Sequence, residues 1–493
     1  MIPPSLPPIL PRGQWRRRMF QQGVFSRKMA QEAVVAYLIA LLVISILYST
    51  YAMYWYWWLF GIIGVVGFFM LSNYYSQKWL NLREKLFKKN VFWTAFGIRV
   101  MMVLILYWFF ENMTGQPFMF SAADSLAYDE EARWISQTIR EGNFQTYLDY
   151  KFKDGSGISD AGYPIYLGFL YLLTWDSIIV ARIVKAMLSA FTCILLYKLA
   201  TRNFNEQVGR LVAIFMMLEP HYVIYCGMHL KETEMVFLLV LFLERADNLL
   251  RSRNFRFWAV LPILGILALT FCFRTILGLA LAFAFSMALL ISSQKVANIG
   301  RRWLVLIVFV LCAGYFIGGR VMSEIENVWE QKDTNQEGRF NDIKKTQSLA
   351  KYVSKAVFAP MIFTIPFPTM VETPGQENHR MLHAGYVVKN IMSFFCIFAL
   401  ILLLLDSSPT GWRNNVLLGA FVIAYLLILI QSAFVHADRF HLPAYVIELL
   451  FAAFGVTQIT KQRHKRWYMY WCVLMFVAWV VWAWFKLKGR GLD

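Results

Sequence analysis

The chain has 493 residues, of which 58% are hydrophobic and 17% aromatic, a balance that excludes an ordinary soluble domain and points to a polytopic membrane protein. Its net charge of +18 is spread over short basic clusters between apolar runs, the pattern of cytoplasmic loops, so nucleic acid is not an expected partner. The six cysteines, Cys193, Cys226, Cys272, Cys312, Cys396 and Cys472, lie within or at the ends of apolar segments without C-x-x-C spacing, so neither a disulfide framework nor a zinc site is indicated.

Residues 1–32 form a Pro-rich and then basic arm, expected in the cytoplasm, with Arg16-Arg17-Arg18 and Arg27-Lys28 ahead of the first apolar run. No convincing cleavage site follows, so that run reads as a retained anchor. Residues 33–92 hold apolar runs at 33–51 and 53–72, each near the roughly 20 residues that cross a bilayer, and a basic loop with Lys78, Arg83, Lys85, Lys88 and Lys89. The pair therefore forms a hairpin. A third span at 93–111 delivers the acidic loop 112–161 to the far side. The stretch Gly162–Trp175 is apolar but too short to cross, and is expected as a re-entrant or juxtamembrane helix.

Further spans are expected near 178–200, 210–227, 233–250, 257–274, 276–293 and 303–319, which close a module at 93–319. Residues 320–387 form a second large outer loop, whose Phe358–Met370 patch is expected at the interface, and 388–493 carry spans near 390–405, 415–434, 443–459 and 467–485. The fold class is thus an all-α polytopic membrane bundle of about 13 transmembrane helices, with juxtamembrane helices on its outer loops. No internal repeat, G-x-G-x-x-G or Walker A pattern is present.

Within the first outer loop, Tyr128, Ala132, Ile135 and Ile139 share one face at helical spacing, while Asp129, Glu130, Arg133 and Gln137 fall away from it, as in a helix lying on a membrane surface. Asp124 sits one turn before Tyr128, at the helix start. There it reads as a helix cap, in a loose capping box with Ser121, or as a catalytic carboxylate.

Four polar features are expected on the same outer face: Asp124, Lys231-Glu232, Arg274 and Arg439-Phe-His-Leu-Pro443. A carboxylate that can accept a proton, beside ammonium and guanidinium groups that can hold a phosphate, suits transfer of a group off a lipid phosphate. The bland readings are interface charges for Lys231 and Glu232, a helix-end anchor for Arg274, and a local pair with Asp438 or a carbonyl for Arg439. Asp124, His229 and Glu232 form a candidate set for a divalent metal.

Asp124-x-x-x-Tyr128-x-x-x-Ala132 followed by Gly142-Asn-Phe144 and Gly162-Tyr163-Pro164 resembles the first outer loop of the GT-C glycosyltransferases, particularly the aminoarabinose-transferase-like and protein-mannosyltransferase-like members. Pro220 with Lys231-Glu232 resembles their second outer turn, Leu269-Thr270 with Arg274-Thr275 their Leu-Thr-Arg-Pro helix hairpin, and Arg439-Phe-His-Leu-Pro443 their late Arg-x-x-x-Pro element. The resemblance spans about residues 93–460. It implies a bacterial plasma-membrane enzyme with its site on the extracytoplasmic face. Such an enzyme moves a sugar, with inversion, from a polyprenyl-phosphate donor to an acceptor glycan, lipid or protein. Asp124 takes the role of the base, Lys231, Arg274 and Arg439 that of holding the donor phosphate, and Tyr128, Glu232, Tyr163 and His441 are secondary contacts.

The hairpin at 33–72 is an addition to the family pattern, and Thr275 stands where proline is usual. The first loop also lacks an Asp-x-Asp pair, which puts metal dependence in question. The alternatives are a repeat-unit polymerase or ligase using a lipid-diphosphate oligosaccharide, and a polytopic transporter.

Overall fold

The structure, a computed structural model, describes residues 24–120, 122–153, 160–252, 257–291, 363–364, 366–373, 377–405, 412–431, 438–459 and 462–488, with positions 303 and 307. The expected span at 303–319, most of the second large loop and Ser121 lie outside the described residues. Among those described there are sixteen α-helices and no strand.

The first three are α1 (Arg27–Leu47), α2 (Trp55–Lys78) and α3 (Glu84–Thr114). Ser26 starts α1 by accepting the Met29 N–H at 3.2 Å, and Gly115 ends α3 in the left-handed conformation, φ 74°, that lacks a Cβ penalty. The acidic loop then folds into α4 (Ala123–Arg140) and α5 (Phe144–Lys153), and α6 (Gly162–Thr174) is the short helix expected there. Next come α7 (Ile178–Asn203), α8 (Glu206–Leu218), α9 (Pro220–Gly227), α10 (Glu232–Arg251), α11 (Val260–Phe273) and α12 (Thr275–Ile291). The last four are α13 (Glu377–Leu405), α14 (Val416–Gln431), α15 (Asp438–Gln458) and α16 (Gln462–Lys488).

Eight of these, α1, α2, α3, α7, α13, α14, α15 and α16, are long and apolar enough to cross a membrane, or nine spans if the bent pair α8–α9 counts as one. The expected count of about 13 is not reached among the described residues. The segment at 233–250 forms α10, which carries Glu232, Glu234, Glu244, Asp247 and Arg251 and is mostly enclosed by its neighbours. It reads as a span by sequence because its other residues are apolar. The α11 and α12 helices have only 14 and 17 residues. Along α1, α2, α3 and α16 the large side chains alternate between buried and exposed positions, as they do on helices with one face to lipid, whereas α15 is buried nearly throughout.

Instead of a straight span at 210–227, the chain bends by 47° between α8 and α9. Pro220 has no N–H to give to Met216, and the His221 N–H turns to the Glu219 side chain at 3.3 Å instead of to Met217. Two carbonyls are thereby left without backbone donors inside the bundle. Arg99, midway along α3 and fully buried, supplies the missing donors, Nη2 to Met216 O at 2.9 Å and Nη1 to Met217 O at 3.1 Å. Its Nε also bonds Ser189 of α7, and its guanidinium lies over the Tyr222 ring at 5.4 Å.

The described part of the Phe358–Met370 patch packs against the helices. Phe367, Met370 and Val371 are buried, Val371 bridges Ala52 in the turn between α1 and α2, and the Glu372 N–H donates to Tyr51 O at 2.6 Å.

Candidate functional site

The α4 helix does not lie loose on a surface. Ser125, Asp129, Ala132 and Ser136, spaced i, i+4, i+7 and i+11, are buried on the side that meets α6, so close that a Cβ on Gly168 would stand 2.4 Å from the Ile135 side chain. Asp129, expected on the free face, is therefore buried. It accepts from the Tyr171 hydroxyl and, at 2.8 Å, from Arg133 Nε, so a polar residue was read as exposed when it has partners inside. At the other end of the interface Asp176 accepts from Ser136 at 3.0 Å and from Arg140 at 3.2 Å.

This seat fixes the start of α4. Ala122 is the N-cap and makes no side-chain capping bond, so Asp124 is a first-turn residue and not the N-cap. Its carboxylate pairs with Arg439 in the first turn of α15, and both side chains remain partly open, at 44% and 33% exposure. The bland reading of Arg439 had a local pair with Asp438 or a carbonyl, whereas its ion-pair partner in the structure is Asp124.

One turn along α4, the Tyr128 ring meets Tyr163 edge-on at 5.1 Å and carries Lys231 over its face at 5.6 Å. Burial raises the Tyr128 hydroxyl pKa above its ordinary value, Glu232 and Asp124 raise it further, and Arg439 and Arg274 oppose them. The four sequence features thus gather around Tyr128.

Lys231 closes the turn 228–231, which Lys185 of α7 holds from within by donating to Met228 O at 2.9 Å and to Leu230 O. Lys185 also donates to the Tyr163 hydroxyl at 3.2 Å and stands 3.6 Å from Glu234, so Tyr163 serves to shape this turn. The Lys231 ammonium pairs with Asp160 and is otherwise buried. Burial first, and then repulsion by Arg274, pull its pKa down to about 7.

Glu232, the first residue of α10, is buried, and its Oε2 has no hydrogen-bond partner. Arg274 occupies the break between α11 and α12 and lies over the Phe440 ring at 4.0 Å, next to Arg439 at 4.9 Å from the same ring. Three cations and the carboxylates of Asp124 and Glu232 therefore meet where α4, α10, α12 and α15 begin.

Two expected residues stand elsewhere. His441 is buried and its Nδ1 lies 2.8 Å from Lys389 Nζ of α13, so it serves the contact between α13 and α15 and does not line the cluster. His229 lies 3.4 Å from the Tyr171 hydroxyl and 3.9 Å from Asp129, and no group of three or more His, Cys, Asp or Glu that could hold a metal occurs among the described residues. The proposed set of Asp124, His229 and Glu232 is thus not assembled, since Asp124 faces Arg439 and His229 faces α6.

Sequence reasoning did not single out Lys185, Glu234 or Asp160, and it named Asp438 only as a local partner for Arg439. Lys185 and Glu234 carried a usable signal, because each is an ionisable residue inside or beside an apolar run. Comparison with known proteins found no matching family model and no matching curated protein.

Proposed function

We propose that the protein is a GT-C-like membrane glycosyltransferase that takes a sugar from a polyprenyl-phosphate donor on the extracytoplasmic side of a bacterial plasma membrane. The observation that carries this reading is the meeting of Asp124 with Arg439, Arg274 and Lys231 at four helix starts. Arg439 takes up Asp124 Oδ2, and an acceptor hydroxyl at Oδ1 would lose its proton there as it attacks the anomeric carbon. Arg274 and Lys231 would hold the lipid phosphate and stabilise its charge as the bond to the sugar breaks. The lipid tail would lie along the apolar helix faces.

Binding of a synthetic polyprenyl-phosphate sugar to the purified full chain tests this. Only protonated Lys231 can hold phosphate, so donor affinity should decline as pH rises through about 7. Arg274→Ala should weaken donor binding by at least about tenfold at every pH, the loss of one charge-assisted phosphate contact. Unchanged binding in that variant would reduce Arg274 to a helix-end anchor. Failure of a range of hexose and pentose donors to bind or react would remove the proposal.

A further inference from the structure

We infer that the bent pair α8–α9 sets the rotation of the first turn of α15, and in doing so aims Arg439 at Asp124. The device is Asp438, which is buried and stands one residue before Arg439. Its Oδ2 accepts from Tyr225 at 2.6 Å and lies 3.0 Å from His221 Nε2. These two residues are i and i+4 on α9, so they present one face, and the Tyr386 ring of α13 packs edge-on against His221 at 5.6 Å.

Successive helical residues are turned by about 100°, so a carboxylate pinned on one side of α15 fixes where the next side chain leaves the axis. The bend supplies the pin. A second contact ties it to α15, since Glu219, at the bend itself, accepts from the Tyr445 hydroxyl at 2.8 Å. Residues 438 and 445 are seven apart, two turns along one side of α15. The fit against α13 is equally close, because a Cβ on Gly385 would stand 2.4 Å from the His221 Cβ and 2.9 Å from its Cα. Gly385 is therefore required for His221 to reach Asp438.

Asp438 is on this account a positioning residue. The role assigned to it concerns the Asp124–Arg439 pair and holds whether or not Asp124 is a catalytic base.

A double-mutant cycle tests it on the full chain in detergent. Unfolding midpoints of the parent, Asp124→Asn, Arg439→Gln and the double variant give the coupling between the two side chains. The same cycle is then run on a Tyr225→Phe background, which removes one donor to Asp438 at nearly constant volume, and on Gly385→Ala, which displaces His221 and removes no polar group. The expected result is that the coupling disappears on both backgrounds. A merely structural role would lower all four midpoints together and leave the coupling intact, which would overturn the inference. Sugar transfer assayed on the same variants separates the two ideas. Coupling lost with transfer unchanged would uphold the positioning role and count against Asp124 as the base.

Discussion

Replacing Asp124 with asparagine is expected to slow sugar transfer at least about 100-fold, within the range of about 10²–10⁴ for loss of a general base, while the protein still folds and binds lipid donor. The small cost in stability follows from the position. Ala122 is the N-cap, so the substitution removes only a first-turn charge, about 0.3–1 kcal/mol, and a partly exposed ion pair with Arg439, about 0–1 kcal/mol. Asp129→Asn should behave the other way round. Its carboxylate is buried between Tyr171 and Arg133, so the change is expected to lower the unfolding midpoint by an amount equivalent to about 1–3 kcal/mol and to leave transfer within about tenfold. Near-parental transfer by Asp124→Asn would refute the assignment of the base.

The largest loss of stability is expected from Arg99→Leu. The change leaves Met216 O and Met217 O without donors inside the bundle, at about 1–3 kcal/mol each, for a total of about 2–6 kcal/mol. Some of the cost of burying the guanidinium is recovered, which keeps the estimate from being higher. Arg99→Lys offers a single ammonium in place of the fork and should fall between the two. Thermal unfolding and the yield of monodisperse protein in detergent read the effect. An Arg99→Leu midpoint equal to that of the parent would mean that water or a shifted backbone satisfies those carbonyls.

Much of the fold is legible in the sequence because the bilayer imposes a length on every helix that crosses it. The apolar runs at 33–51, 53–72, 93–111 and 178–200 correspond to α1, α2, α3 and α7, and the short stretch from Gly162 to α6. The α10 helix, expected as a span at 233–250, is not among the eight long apolar helices because of the charges it carries. Two of its carboxylates, Glu244 and Asp247, pair with Arg202 at 2.8 and 2.9 Å within the bundle, and hydropathy does not distinguish a helix enclosed by protein from one enclosed by lipid. The bend at Pro220 was available from proline alone, and Arg99 within an otherwise apolar run was its counterpart.

At the candidate site, the sequence pointed to Asp124, Lys231, Arg274 and Arg439 separately, because charge near a membrane is conspicuous wherever it falls. Their mutual geometry could not be read in the same way, since the Asp124–Arg439 pair joins residues 315 positions apart. His441 and Asp129 show the converse. A polar residue next to a predicted site looks functional or exposed until its buried partner, Lys389 in one case and Tyr171 in the other, is known.

The most direct test of the central claim is a density map of the purified protein with a polyprenyl-phosphate lipid bound. The phosphate is expected at hydrogen-bond distance, about 3 Å, from the Arg274 guanidinium and the Lys231 ammonium, with Asp124 beside the position that the sugar would occupy. A phosphate bound at the other end of the helices, or at the cluster only through groups other than Arg274, Lys231 and Arg439, would contradict it.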